Sequence, residues 1–238
     1  MKRLLVVVVL FSSFQFYGQE NSALIKHFET YYKQMKSQSD VQGIINAMTH
    51  LNVLAPSIPR QDTLAYIYMS EGKYLQALNT IGIDRKVDDS EIAVEVKAVS
   101  LKAVKQPKLA VAHFNEMFKR KPNALVAYEL AELNLQLQQT AETDKHIAYG
   151  LANASDDMKK AFYETQNPYE VPLKSAFMYL NAISTYNKDR KANIDAAVDI
   201  LDATLKTAPN FNLVQITKNE LLRQKQQALQ EQTAQLKN

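Results

Sequence analysis

From Asn21 onward, apolar residues recur at intervals of three and four. Leu24, Ile25, Phe28, Tyr31, Tyr32 and Met35 make one such face, and Val41, Ile44, Ile45, Met48, Leu51 and Leu54 make the next. Between them lies the polar break Ser37-Gln38-Ser39-Asp40. That spacing predicts two amphipathic helices joined by a short turn, a helical hairpin. The same alternation continues down the chain. Pro56, Pro59, Pro107, Pro122, Pro168, Pro172 and Pro209 all fall where the apolar period breaks, so no proposed helix carries a proline in its interior.

The hairpins repeat. The run Tyr68-Met69-Ser70-Glu71-Gly72-Lys73-Tyr74-Leu75-Gln76-Ala77-Leu78, preceded by Leu64-Ala65, resembles the centre of a tetratricopeptide repeat, with its Leu-Gly pair, aromatic and small Ala. Gln61 stands where that pattern has tryptophan, and Ile81 follows at the required interval. A step of 33 residues back places Phe28, Tyr31, Tyr32, Met35, Ile44, Met48 and Pro56 in equivalent positions. A step of 33 forward places Val94, Ala98, Leu101, Ala110, Phe114 and Pro122, and a further 34 gives Tyr128, Ala131, Leu135, Ala148 and Leu151. In that register Tyr32 and Glu132 occupy places where a small residue normally lets helices approach, and Asp144 replaces the usual Ala. A fifth unit keeps its second helix, with Ala197, Leu201, Thr204 and Pro209, while Asn187 to Asn193 lengthens its internal turn.

The resemblance implies an all-α fold: a right-handed α-solenoid of about five tetratricopeptide-like hairpins over residues 19–210, closed by a capping helix and tail over 211–238. Ala65, Ala77, Ala98 and Ala110 are its expected points of close helix approach. An irregular helical bundle is the alternative. In the solenoid, first helices line a concave groove, which places Tyr66, Met69, Val99, Lys102, Leu133 and Leu137 on the expected partner-binding surface. Tetratricopeptide domains that clamp a terminal carboxylate use Asn and Lys there, and the Asn is missing in these units. The groove instead suits an apolar or amphipathic segment. Its occupant is a partner, the C-terminal helix of the same chain, or a second copy.

One stretch breaks the repeat. Residues 158–173 contain Phe162, Tyr163, Pro168, Tyr169 and Pro172, too long a connection for a simple turn. Its aromatics are expected to plug the seam between the fourth and fifth hairpins. Beyond Pro209, Leu213, Ile216, Leu221 and Leu222 mark a final amphipathic helix that trails into a Gln- and Lys-rich end.

Composition narrows the chemistry. With 5 Gly and 7 Pro in 238 residues, the chain can build few turns that need positive φ, which again favours helices. It has no Cys, so thiolate catalysis, disulfides and Cys-type zinc sites are excluded. Lys2 and Arg3 precede the unbroken apolar run Leu4 to Phe11, followed by small polar residues up to Gly18. That is the pattern of a secretory signal peptide over residues 1–18, cleaved after Gly18, and it points to a periplasmic or secreted protein. The apolar run is too short to span a membrane, and no comparable run follows.

The formal charge is +3, or +1 without Lys2 and Arg3, which gives nucleic acid little to bind. Lys119-Arg120-Lys121 precedes Pro122 and complements a helix C-terminus. His27, His50, His113 and His146 lack partners at metal-ligand spacing and read as surface histidines. Asp84, Asp88, Asp89 and Glu91 lack calcium-loop spacing and read as a solvated turn capping a helix at Ser90. There is no nucleophile elbow and no glycine-rich phosphate loop. The expectation is a non-enzymatic interaction module with no cofactor and no metal, an exported adaptor or scaffold whose partner is a protein or peptide. The alternative is a structural subunit with a self-filled groove that assembles into an oligomer or larger envelope complex.

Overall fold

The computed structural model describes residues 21–235. The leader expected over residues 1–18 lies outside them. Among the described residues there are eleven helices and two short strands. The helices of the first four hairpins are α1 (21–37), α2 (Val41–Leu54), α3 (Ile58–Ser70), α4 (Tyr74–Ile81), α5 (Glu91–Ala103), α6 (Pro107–Arg120), α7 (Ala124–Gln136) and α8 (Thr140–Asn153). Then come β1 (Lys159–Phe162), β2 (Tyr169–Pro172), α9 (Leu173–Lys188), α10 (Ile194–Thr207) and α11 (Asn212–Gln235). Five hairpins and a final helix are what the repeat predicts. The chain forms two compact units, residues through His113 and residues from Phe114 on.

Helix starts follow capping chemistry. The side chains of Asp40, Ser90 and Asn123 accept the backbone N–H groups of Gly43, Ala93 and Val126 at 2.9, 3.0 and 2.9 Å. Pro59 lies in the first turn of α3, and Pro107 opens α6, where a missing N–H costs nothing.

The turn inside each of the first four hairpins is the same backbone device. Ser39, Gly72, Lys105 and Gln138 have φ of 56, 70, 59 and 58°, the left-handed conformation. The following N–H groups of Asp40, Lys73, Gln106 and Gln139 reach back to the carbonyls of Met35, Tyr68, Leu101 and Asn134, closing each first helix with a 6→1 bond. These positions are 33 residues apart three times over.

That regularity corrects the sequence register, whose last step was 34. With 33, Ala131 takes the place of Ala65 and Ala98, and Thr143 takes the place of Ala77 and Ala110; all six are fully buried. Glu132 and Asp144 stand one position off, so the fourth hairpin is as regular as the second and third.

In the first unit, Ile45, Met48 and Leu64 pack with Tyr32, Val41 and Tyr68, while Ala65, Ala77 and Val96 pack with Met69 and Ile81. Helix α3 lies against both α4 and α5. In the second unit a larger core joins Tyr128, Ile147, Phe177, Leu180, Leu201, Phe211 and Val214. Gly150 of α8 faces Phe177, and a Cβ there would land inside the ring.

The connection over 158–173 is not irregular. Strands β1 and β2 form an antiparallel pair in which Lys159 faces Pro172 and Phe162 faces Tyr169. The Phe162 and Tyr169 rings stack at 5.8 Å between centroids, and Phe162 lies 4.7 Å from the ring of fully buried Phe211. Asn210 donates to the Glu170 carbonyl at 3.2 Å, and the Leu213 N–H donates to the Tyr169 hydroxyl at 3.3 Å. The strands therefore seat two aromatics against the α10–α11 turn, after the fifth hairpin rather than at the expected seam between the fourth and fifth, while Tyr163 stays 75% exposed. Helix α11 packs on α10. Its Thr217 and Gln224 bond the hydroxyls of Tyr179 and Tyr186 on α9 at 3.3 and 2.6 Å.

Candidate partner-binding surface

Four of the six residues expected to line a groove lie in the first unit, on α3 and α5. Tyr66 and Val99 each lie nine residues past their N-caps, Ser57 and Ser90, and Met69 and Lys102 lie twelve past the same caps. Helices α3 and α5 pack on each other. The inward sides of these helices are closed by Leu64 and Ala65, and by Val96, Ala98 and Leu101. Tyr66, by contrast, is 42% exposed, and Met69, Val99 and Lys102 are half-buried. The result is an apolar strip edged by a lysine stem, with no carboxylate among its four residues.

The other two residues are placed differently. Leu133 is only 2% exposed and offers nothing to a partner, while Leu137 is half-buried at the C-cap of α7. Counting nine and twelve positions from Asn123 gives Glu132 and Leu135 instead. The one-residue error in the fourth step moved the assignment from the positions equivalent to Tyr66 and Met69 to a packed position of α7. Of the residues expected on the partner-binding surface, Leu133 is thus buried, Met69 and Val99 are half-buried and Tyr66 is exposed.

Sequence reasoning missed a buried ionic cluster. Lys97 lies seven residues past Ser90, where the second and fourth hairpins have Leu64 and Leu130, and it is 0% exposed. Its ammonium donates to both carboxylate oxygens of Asp89 at 2.7 Å and to the Asp84 carbonyl at 2.8 Å. Asp89 Oδ2 also accepts the Lys86 N–H at 2.9 Å. Burial pushes the Asp89 carboxyl up, but the Lys86 N–H and the Lys97 ammonium outweigh it and hold it below the usual range.

His113 is buried beside this cluster, with Nε2 2.9 Å from the Ile83 carbonyl. Burial lowers its pKa against the opposing pull of that carbonyl. The acidic stretch is thus not simply a solvated turn: Lys97 and His113 clamp it to the third hairpin, although Ser90 caps α5 as expected. His146 is also buried rather than superficial. A leucine position filled by lysine, within reach of a run of aspartates, was the available signal.

The Lys97 ammonium itself is fully buried, while Asp89 is half-buried. Among the described residues, no group of three or more His, Asp or Glu could hold a metal ion, and no helix is long and apolar enough to cross a membrane. In the second unit, the Lys160 ammonium sits 2.8 Å from Glu129 and 4.8 Å from the centroid of the Tyr128 ring, fastening β1 to α7.

No protein-family model matches the chain, and no curated protein matches it significantly in sequence. Solved structures do match its fold. The crystal structure of YrrB, described as a TPR protein with an unusual peptide-binding site, aligns over 81% of this chain and 90% of its own, with a TM-score of 0.63 and 12% identity. A TPR repeats protein from Bacteroides fragilis NCTC 9343 aligns over 84% of this chain and 98% of its own at 11% identity, but its TM-score of 0.39 is too low to carry an argument. The repeated left-handed turns, the small residues at 33-residue intervals and the agreement with YrrB give one conclusion: the chain has the all-α, consecutive-hairpin fold of tetratricopeptide-like solenoid proteins.

Proposed function

We propose that this protein is a non-enzymatic interaction module, an exported adaptor or scaffold that binds an apolar or amphipathic segment of another envelope protein. The observation that supports it most is that Tyr66, Met69 and Val99 lie on α3 and α5, two first helices that pack on each other, with Tyr66 exposed and Met69 and Val99 half-buried. The similar protein YrrB is described as having a peptide-binding site, which agrees with this reading.

Val99→Glu and Tyr66→Glu in the full chain should eliminate cross-linked partners from an envelope fraction while leaving helical circular dichroism and Tm unchanged. Capture that survives both substitutions would reject the strip as the binding surface. The export half of the proposal rests on the basic start and apolar run of residues 2–11. Mass spectrometry of the protein from its native source should find a chain beginning at Gln19, and an intact Met1 would sink that half.

The burial of Leu133 favours a second reading, a structural subunit that uses its apolar positions internally. On that reading the same glutamate substitutions lower Tm by several degrees, since charge would enter an apolar seam.

A further inference from the structure

The strand pair of the second unit has two edges, and the chain treats them differently. The Leu173 N–H donates to the Met158 carbonyl at 2.8 Å, one step beyond the facing pair Lys159 and Pro172. Bonded and open pairs alternate along an antiparallel ladder. Lys160 with Val171 and Phe162 with Tyr169 are therefore bonded pairs, while the backbone groups of Lys159, Ala161, Glu170 and Pro172 point out of the ladder. On β2 that outward row meets the α10–α11 turn: the Glu170 carbonyl accepts from Asn210 at 3.2 Å, and Pro172 has no N–H to satisfy. On β1, by contrast, no residue among those described pairs with the N–H or C=O of Lys159 or Ala161. Lys159 and Tyr163 are exposed and Ala161 is half-buried. An edge left open in this way is a template for one more strand.

Charge selects which strand. Side chains alternate between the faces of a strand, so Lys160 and Phe162 turn inward, to Glu129 and Phe211, and Lys159, Ala161 and Tyr163 share the outer face. The Lys160 ammonium is neutralised by Glu129, whereas Lys159 has no carboxylate partner among the described residues. A lysine on an edge discourages apolar and basic strands and favours one that brings a carboxylate opposite it. We propose that β1 receives an extended acidic segment of another protein as a third, antiparallel strand, with its backbone bonded to Lys159 and Ala161, a carboxylate opposite Lys159 and a β-branched side chain opposite Tyr163. A second copy of β1 would instead bring two unpaired Lys159 ammonium groups to a ladder without a carboxylate, since β1 reads Lys-Lys-Ala-Phe. The edge lies in the second unit and Tyr66 and Val99 lie in the first, so the two surfaces succeed or fail separately.

Isotope-labelled full-length chain is titrated, under nuclear magnetic resonance, with an acetylated and amidated hexapeptide of alternating valine and threonine that carries glutamate in its fifth place. The backbone amide signals of Lys159 and Ala161 should move downfield and become protected from hydrogen exchange. A version with lysine in the fifth place should bind about fivefold more weakly, and Lys159→Glu should reverse that order. N-methylation of the third and fifth peptide residues, whose N–H groups would face β1, should abolish binding, while N-methylation of the second and fourth should be tolerated. Ala161→Pro should also abolish binding with circular dichroism unchanged, because the N–H it removes points out of the ladder. If that proline disturbs the strand, the reversal by Lys159→Glu still decides the matter. Equal binding of the glutamate and lysine versions, binding that survives methylation on the β1 side, or shifts confined to Tyr66 and Val99 would overturn the proposal. So would protection of the same two amides in a concentration-dependent dimer without peptide, which would make a second copy the occupant of the edge.

Discussion

At the scale of single residues, the buried Lys97 is the clearest departure from the repeat. An ammonium removed from water costs several kcal/mol unless its partners are well placed, and here three oxygens at 2.7 to 2.8 Å meet it. Its benefit lies in position: through Asp89 and the Asp84 carbonyl it fixes the loop between α4 and α5. Lys97→Leu alone should cost about 3 kcal/mol, because Asp89 stays partly buried after losing its cation. Lys97→Leu combined with Asp89→Ser should recover much of that loss, since the second and fourth hairpins carry Leu64 and Leu130 at the same place. Urea denaturation of the two variants checks this, and equal losses in both would show that the ion pair does not hold the loop. The lysine at a leucine position was legible in the sequence, but its partner was not, because a periodic apolar pattern is blind to a neutralising carboxylate eight positions away in a loop.

At the scale of elements, helices and hairpins were legible because each carries its own periodic signal. The caps at Ser90 and Asn123 and the proline punctuation agree with the helix bounds. The register within α7 was not legible. Leu130 and Leu133 are both buried, and apolar residues all round a helix do not tell its two sides apart. The left-handed turn residue would have settled it, but three of its four occurrences are Ser39, Lys105 and Gln138, which carry no sequence signature of positive φ. Those residues are strained where Gly72 is not. Gln138→Gly should therefore stabilise the chain by up to about 1 kcal/mol, and Gly72→Ala should destabilise it by about 1 kcal/mol. Thermal melts of the two variants read the sign directly, and a destabilising Gln138→Gly would count against strain at that turn. The β1–β2 hairpin was seen in sequence as an aromatic interruption but not as strands, since four-residue strands give too short an alternation to register.

For the molecule as a whole, the histidines make stability depend on pH in a direction that can be worked out. His113 in one unit and His146 in the other are both buried, and burial holds both below the ordinary histidine pKa of 6.5. For His146, the neighbouring Lys145 lowers the pKa further and Glu142 opposes it, with its carboxylate 3.8 Å from Nε2. A lowered folded-state pKa means that the unfolded chain binds protons first. The neutral rings therefore contribute fully above about pH 6.5, and that contribution is lost as pH falls through their folded values. Asp89 adds a second, lower window: its folded pKa is depressed below 3.8, so its contribution is present above that value and disappears in stronger acid. The urea midpoint should thus fall between pH 7.5 and pH 5, before any carboxylate at its ordinary pKa is mostly protonated. His146 isolates the effect, because neither of its buried ring nitrogens has a hydrogen-bond partner. His146→Leu should leave stability at pH 7.5 nearly unchanged, since it removes an unsatisfied polar group together with some ring packing against Phe118, while making the fall toward pH 5 shallower. An acid response equally steep in the variant would place the sensitivity elsewhere and reject His146 as a contributor.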